Sequence, residues 1–219
     1  MPVSAYVQSA VFLVVMGLAL FQSAGTVAIA GFWIYLAIYA AVIVASLVAL
    51  DPGLFRERMR PGGKRPPLGL QLFTLVLFLH WIVAGLDRGR FHWSDSVPEW
   101  LRAAGFILLG AGYALCFWAM IENRFFSSVV RIQSDRGQYV VTSGPYAVIR
   151  HPGYTAGILI ILASGVALGS WLAAALLVST GLPFLSYRAI TEDRILQAEL
   201  PGYAEYASQV PWRLCPGIW

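Results

Sequence analysis

Charge is scarce in this sequence. Only 12% of its 219 residues are Asp, Glu, Lys or Arg, about half of what a soluble domain carries. Cysteine is scarcer still. Cys116 falls in an apolar run and Cys215 in the tail, settings too different for a disulfide framework, and neither has metal-ligand spacing around it, so no metal is expected. Cys215 stands fifth from the end, one place off a prenylation box. No GxGxxG follows a strand pattern, which excludes a soluble Rossmann-type enzyme. The opening "MPVSAYVQSAVFLVVMGLALF" lacks a basic n-region and a small-x-small cleavage site. It is expected as a retained helix and not as a signal peptide.

What remains is apolar. Hydrophobic residues make up 58% of the chain, and runs at 5–22, 27–50, 68–86 and 100–121 reach the ~20 residues that cross a hydrocarbon core. Two shorter runs, 154–168 and 170–187, form a hairpin turned by "LGS" at 168–170. Such arms barely cross, so they tilt or sit deep within the protein. The expected fold is an all-α integral membrane protein with about six transmembrane or membrane-embedded helices (range five to six). Residues 1–121 supply generic spans, and 122–219 carry the polar inventory.

The net charge of +4 does not signal nucleic acid, because the basic residues fall as topology markers. Arg56, Arg58, Arg60, Lys64, Arg65, Arg124, Arg131, Arg136, Arg150, Arg188, Arg194 and Arg213 lie on one side, and Arg88, Arg90 and Arg102 on the other. The positive-inside rule makes the first side cytoplasmic, with both termini there. The excess also gives some affinity for anionic headgroups.

Within the spans, Gly105, Gly110 and Gly112 suit close helix packing. His80, beside Trp81, is an intramembrane histidine, either a cavity-lining group or a satisfied core residue. In "IRHPGY", Pro152 suits the first turn of a helix and biases His151 away from helical geometry. Tyr154 then lies about one turn in, and Gly153 and Gly157 allow close approach. The stretch reads equally as an interfacial helix cap and as a site. Arg188 and Glu192 share a helix face at i, i+4, where an arginine fork can hold a carboxylate or phosphate. With Asp193 they read equally as a surface pair. "LPGYAEYASQVPWRL" suits a segment packed back over a cavity mouth, or an interfacial anchor.

Taken in order, "SGPY", "RHPGYTAG", the short hairpin, "RAITEDRIL", "PGYAEY" and "VP" resemble the isoprenylcysteine carboxyl methyltransferase family and its phospholipid-methyltransferase relatives, over roughly 122–215. The resemblance implies a cytoplasm-facing pocket for S-adenosylmethionine and a lipophilic small-molecule or lipid substrate entering from the bilayer. By position, the cofactor contacts would be Gln138, Tyr139, Val140 and Val141 in a strand-like stretch, then Tyr146, His151, Pro152, Gly153, Tyr154 and Glu192. Arg188 would meet the substrate's acidic group, and Arg188 and Glu192 would be catalytic. The sequence departs from the family at Gln138 (histidine in the eukaryotic enzymes), at Arg131 (glutamine) and at Asp193 (the second glutamate of a pair). A carboxylate acceptor would need no base, whereas an amine or thiol would need one from Glu192, Asp193 or His151. The alternatives are an NADPH-dependent reductase of the sterol-reductase type, with Arg136 and Arg150 free for a 2′-phosphate, and a non-catalytic membrane scaffold.

Overall fold

The computed structural model describes residues 3–59, 62 and 67–219, so Arg60, Lys64 and Arg65 lie outside the described residues. Those described form helices and no strands: α1 (Val3–Ala24), α2 (Ala30–Ala49), α3 (Pro52–Met59), α4 (Leu68–Leu86), α5 (Glu99–Glu122), α6 (Pro152–Ala167), α7 (Trp171–Glu199) and α8 (Tyr203–Gln209). Five of these, α1, α2, α4, α5 and α7, are long and apolar enough to cross a membrane. The remaining apolar run, 154–168, is the 16-residue α6. The chain is therefore an all-α integral membrane protein, as the apolar runs predicted.

One boundary differs. The second arm of the hairpin does not stop near 187 but continues through the amphipathic segment as one 29-residue helix, α7. Pro183 lies inside it without ending it, despite the ~3 kcal/mol that an interior proline costs. Packing against α4 and α6 covers this stretch. The continuity carries Arg188 and Glu192 on a rigid rod out of the apolar bundle.

Small residues set the depth of α6. A Cβ on Gly105 would stand 2.9 Å from the backbone nitrogen of Ala167, and one on Gly112 would stand 2.9 Å from Ile160. These two bring α5 against α6, while Gly110 has nothing within 4 Å of its Cβ direction and plays no part. Gly165 meets the backbone of Ala174 across the hairpin, 2.1 Å from where its Cβ would be. Ser170 caps α7 by accepting from the Ala173 amide at 3.1 Å. Its hydroxyl also donates to the buried carboxylate of Asp87 at 2.5 Å, which takes the Ser94 amide at 2.8 Å. The turn is thereby tied to the loop after α4.

The core holds Met16, Leu20, Phe32, Tyr35, Trp81 and Leu109, and one polar chain runs through it. His80 donates from Nδ1 to the Leu77 carbonyl at 2.5 Å, and its Nε2 lies 2.9 Å from the Ser164 hydroxyl. Ser164 in turn contacts the Tyr35 hydroxyl at 2.6 Å, which accepts from Trp81 Nε1 at 3.1 Å. A carbonyl can only accept, so Nδ1 carries the proton and every member of the chain is satisfied. His80 lines neither of the two cavities described below. It is a core residue locking α4 to α6.

Candidate functional site

At the end of the bundle where α5 and α7 finish and α6 begins, a cavity of about 270 Å³ opens among α3, the segment after α5, α6, α7 and α8. A second cavity, about 780 Å³, lies beside it and shares Leu70, Val129, Arg131, Phe184 and Arg188 as a wall.

Most of the sequence-predicted site residues come together here. Gln138, Tyr139, Val140 and Val141 run extended along one side, without a paired strand. Tyr146, His151, Gly153 and Tyr154 line a second side, and Arg188 and Glu192 a third. Pro152 does not line the cavity; it is buried at the start of α6, where its fixed φ suits the first turn. Gly153 has no room for a Cβ, because the Phe126 ring would be 2.5 Å away.

Arg188 and Glu192 do not meet directly. No ion pair joins them among the described residues, and the Tyr154 hydroxyl sits between. It donates to Glu192 Oε2 at 2.7 Å and accepts from Arg188 Nε at 3.3 Å. Arg188 also donates from Nη2 to the Ser128 carbonyl at 2.8 Å and lies over the Tyr154 and Phe184 rings, 5.9 and 5.7 Å from their centroids. Among the described residues, the second oxygen of Glu192 has no hydrogen-bond partner. The arrangement presents a guanidinium on the wall between the two cavities and a carboxylate on the first cavity alone, fixed through one phenol.

Asp193 turns the other way. It is 1% exposed and saturated by donors. Arg150 reaches it from Nε at 2.9 Å and Nη2 at 3.1 Å, Arg213 from Nε at 2.8 Å, Tyr203 from its hydroxyl at 3.0 Å and Gln197 at 2.8 Å. His151 Nε2 lies 3.1 Å from the same carboxylate. Its ring is buried in this hub while still bordering the cavity. Asp193 has no spare lone pair aimed at a ligand, so it is a poor candidate base. Arg150, fully occupied here and by the Val210 and Pro211 carbonyls at 2.8 and 2.9 Å, is not free for a 2′-phosphate. Arg136 is bonded to Gln133 at 2.7 Å.

The hub also pins the tail. The amides of Arg150 and His151 donate to the carbonyls of Trp212 and Arg213 at 2.9 and 3.0 Å. Thr155 donates to the Leu214 carbonyl at 2.7 Å. Tyr203 and Tyr206 therefore close the cavity from above, and the Tyr206 hydroxyl donates to the Tyr146 carbonyl at 2.6 Å. Burial pushes the Tyr206 phenol up to about 12. Burial and then the Asp193 charge raise Tyr203 too, so both remain donors at neutral pH. Tyr146 is likewise raised by burial and accepts from Asn123 Nδ2 at 3.1 Å.

Arg131, one of the departures noted above, has an evident partner. Its Nε and Nη2 make a two-pronged pair with the Glu57 carboxylate, both at 3.0 Å, and Nη1 reaches Asp135 at 2.7 Å. Glu57 is buried, and burial alone would raise it. The Arg131 hydrogen bonds, with help from Gly62 and Ser127, overcome that and hold it below its ordinary value of 4.5. A carboxyl with a depressed folded pKa stabilises the fold above its unfolded value and loses that contribution as pH falls through the folded one. Acidification below about 4.5 is therefore expected to loosen α3 from the cavity segment. Amide hydrogen exchange in α3 should quicken in that window, and in Glu57→Gln it should already be quick at neutral pH with no further acid step. The exposed Asp135 adds little.

Sequence reasoning missed Phe126, Ser128 and Arg58 as cavity residues. The first two carried no motif, and Arg58 was legible only as a topology charge.

The stretch 104–198 matches the isoprenylcysteine carboxyl methyltransferase family. Among curated proteins, the chain is 41% identical over 166 residues to the cobalt-zinc-cadmium resistance protein CzcN of Cupriavidus metallidurans, covering 74% of this chain and 66% of that protein. It is 31% identical over 111 residues to the protein-S-isoprenylcysteine O-methyltransferase of Schizosaccharomyces pombe, covering 50% and 46%. It is 30% identical over 133 residues to the nickel-cobalt-cadmium resistance protein NccN of Alcaligenes xylosoxydans xylosoxydans, covering 59% and 57%. The matched stretches thus span less than two thirds of each relative's own length. The family match covers most of α5, the whole of α6 and nearly all of α7, the elements that carry Tyr154, Arg188 and Glu192, and with the Schizosaccharomyces pombe relative it supports a likeness of this stretch to the isoprenylcysteine carboxyl methyltransferase family.

Proposed function

We propose that this chain is a membrane methyltransferase that takes its methyl group from S-adenosylmethionine and passes it to a lipophilic acceptor, the carboxylate of an isoprenylcysteine-like compound. The observation that carries the reading is the Arg188–Tyr154–Glu192 relay, which faces the first cavity and whose Arg188 also borders the second. The residues fit the donor. A free carboxylate oxygen on Glu192 and the aromatic faces of Tyr146 and Tyr154 are the groups a sulfonium cation prefers. Two cavities on either side of Arg188 allow donor and acceptor to approach from different directions.

When bound, S-adenosylmethionine supplies an electrophilic methyl carbon and needs no metal to do so. The residues then have positioning work. Glu192 anchors the cationic side, Arg188 orients an acceptor carboxylate by its fork, and the tail residues Tyr203 and Tyr206 exclude water from above. A carboxylate acceptor is already ionised, so Asp193 and His151 can stay committed to the hub. The positive-inside pattern puts the cavity end and both termini in the cytoplasm, with residues 122–219 forming most of the pocket on the spans of 1–121.

The test is calorimetric titration of the purified protein in detergent with S-adenosylmethionine and, separately, with NADPH. Saturable binding of S-adenosylmethionine alone is the expected result. Binding of NADPH without S-adenosylmethionine would overturn the reading in favour of a reductase.

A further inference from the structure

Arg58, near the end of α3, lines the first cavity and is half-buried. Among the described residues its guanidinium has neither an ion pair nor a hydrogen bond. Its one close partner is the Phe126 ring, with the guanidinium carbon 5.0 Å from the centroid. Burial lowers its pKa from the ordinary arginine value, yet an arginine keeps its proton in a protein. A ring face is a weaker partner than the water the cation gave up. Arg131 is paired with Glu57, Arg150 and Arg213 with Asp193, and Arg188 is held by the Tyr154 hydroxyl and the Ser128 carbonyl. An unpaired, partly desolvated guanidinium on a cavity wall is a receptor for an anion.

Its position says which anion. The segment 126–128 lies between Arg58 and Arg188, for the Ser128 hydroxyl donates to the Arg58 carbonyl at 2.9 Å while Arg188 Nη2 donates to the Ser128 carbonyl at 2.8 Å. Arg188 borders both cavities, whereas Arg58 borders only the first. The ring beneath Arg58 is the one that packs on Gly153 at the start of α6. Cys116 lies near both Arg58 and Tyr146. Arg58 thus belongs to the side of the cavity formed by Tyr146 and the first turn of α6.

We propose that Arg58 receives the carboxylate at the amino-acid end of the methyl donor, leaving Arg188 to the acceptor. This rests on the donor reading above and adds to it a residue outside the stretch that matches the family. A guanidinium fork and a carboxylate make two parallel hydrogen bonds, the geometry arginine offers and glutamine does not.

Calorimetry with S-adenosylmethionine and decarboxylated S-adenosylmethionine, which lacks only that carboxylate, tests the assignment. Wild type is expected to favour the intact donor by about tenfold to a hundredfold, the worth of a charge-assisted bond. Arg58→Gln should bring that preference close to unity while leaving the affinity for the decarboxylated compound unchanged, which also shows the variant to be folded. Arg58→Lys should keep part of the preference. A preference that survives in Arg58→Gln overturns the proposal, as does loss of both ligands in Arg58→Gln with both retained equally in Arg58→Lys. Failure of both ligands to bind wild type sinks the donor reading itself.

Discussion

Asp193→Asn will melt far below wild type in detergent, with a loss of about 3–5 kcal/mol of stability, the cost of removing one partner from a buried ion pair. The substitution keeps the shape and removes the charge, which leaves Arg150, 5% exposed at its side chain, without its anion. It also turns an acceptor-only group, which takes bonds from Arg150, Arg213, Tyr203 and Gln197, into one with a donor pointing at donors. Because Arg150 and His151 hold the tail through their amides, the damage should spread to residues 210–214 and unroof the cavity. Glu192→Gln, one residue away and half-buried, should melt within about 0.5 kcal/mol of wild type. Equal destabilisation by both changes would show that Asp193 is no special hub.

That contrast between neighbours explains much of what the sequence concealed. The spans were legible because hydropathy over ~20 residues is a one-dimensional property, and the runs at 68–86 and 100–121 coincide with α4 and α5. Arg188 and Glu192 were legible as a pair because i, i+4 spacing is also local. The identity of the group between them was not, since Tyr154 arrives from a helix 34 residues earlier than Arg188. Asp193 looked like the partner of Glu192, but adjacent helical positions differ by about 100°, and that rotation sends one carboxylate to the cavity and the other to the tail. The continuity of α7 past 187 was hidden for a related reason: the change of hydropathy there ends the apolar run but not the helix. Arg58 sat in a basic run whose charge was accounted for by topology, and nothing in the spacing marked it as a cavity residue.

The other large effect separates binding from turnover. Glu192→Ala is expected to weaken S-adenosylmethionine by about tenfold to a hundredfold, the worth of one charge-assisted contact. Its free oxygen is the anionic group of the relay that faces the cavity, and Tyr154 holds the other in place. Arg188→Ala should leave donor affinity near wild type and slow methyl transfer to a farnesylated cysteine by about a hundredfold to a thousandfold, as loss of a preorganised donor at a reacting centre does. The division follows from the two walls: Arg188 borders both cavities and Glu192 only one. Tyr154→Phe should do a measure of each, because it frees Glu192 and Arg188 together. Calorimetry for the donor and single-turnover transfer for the acceptor read the two effects independently. If Arg188→Ala and Glu192→Ala lose donor affinity equally, the guanidinium belongs to the donor and the acceptor must be oriented by some other group. If neither variant slows transfer, the relay is a structural tie between α6 and α7, and the chemistry lies elsewhere in the cavity.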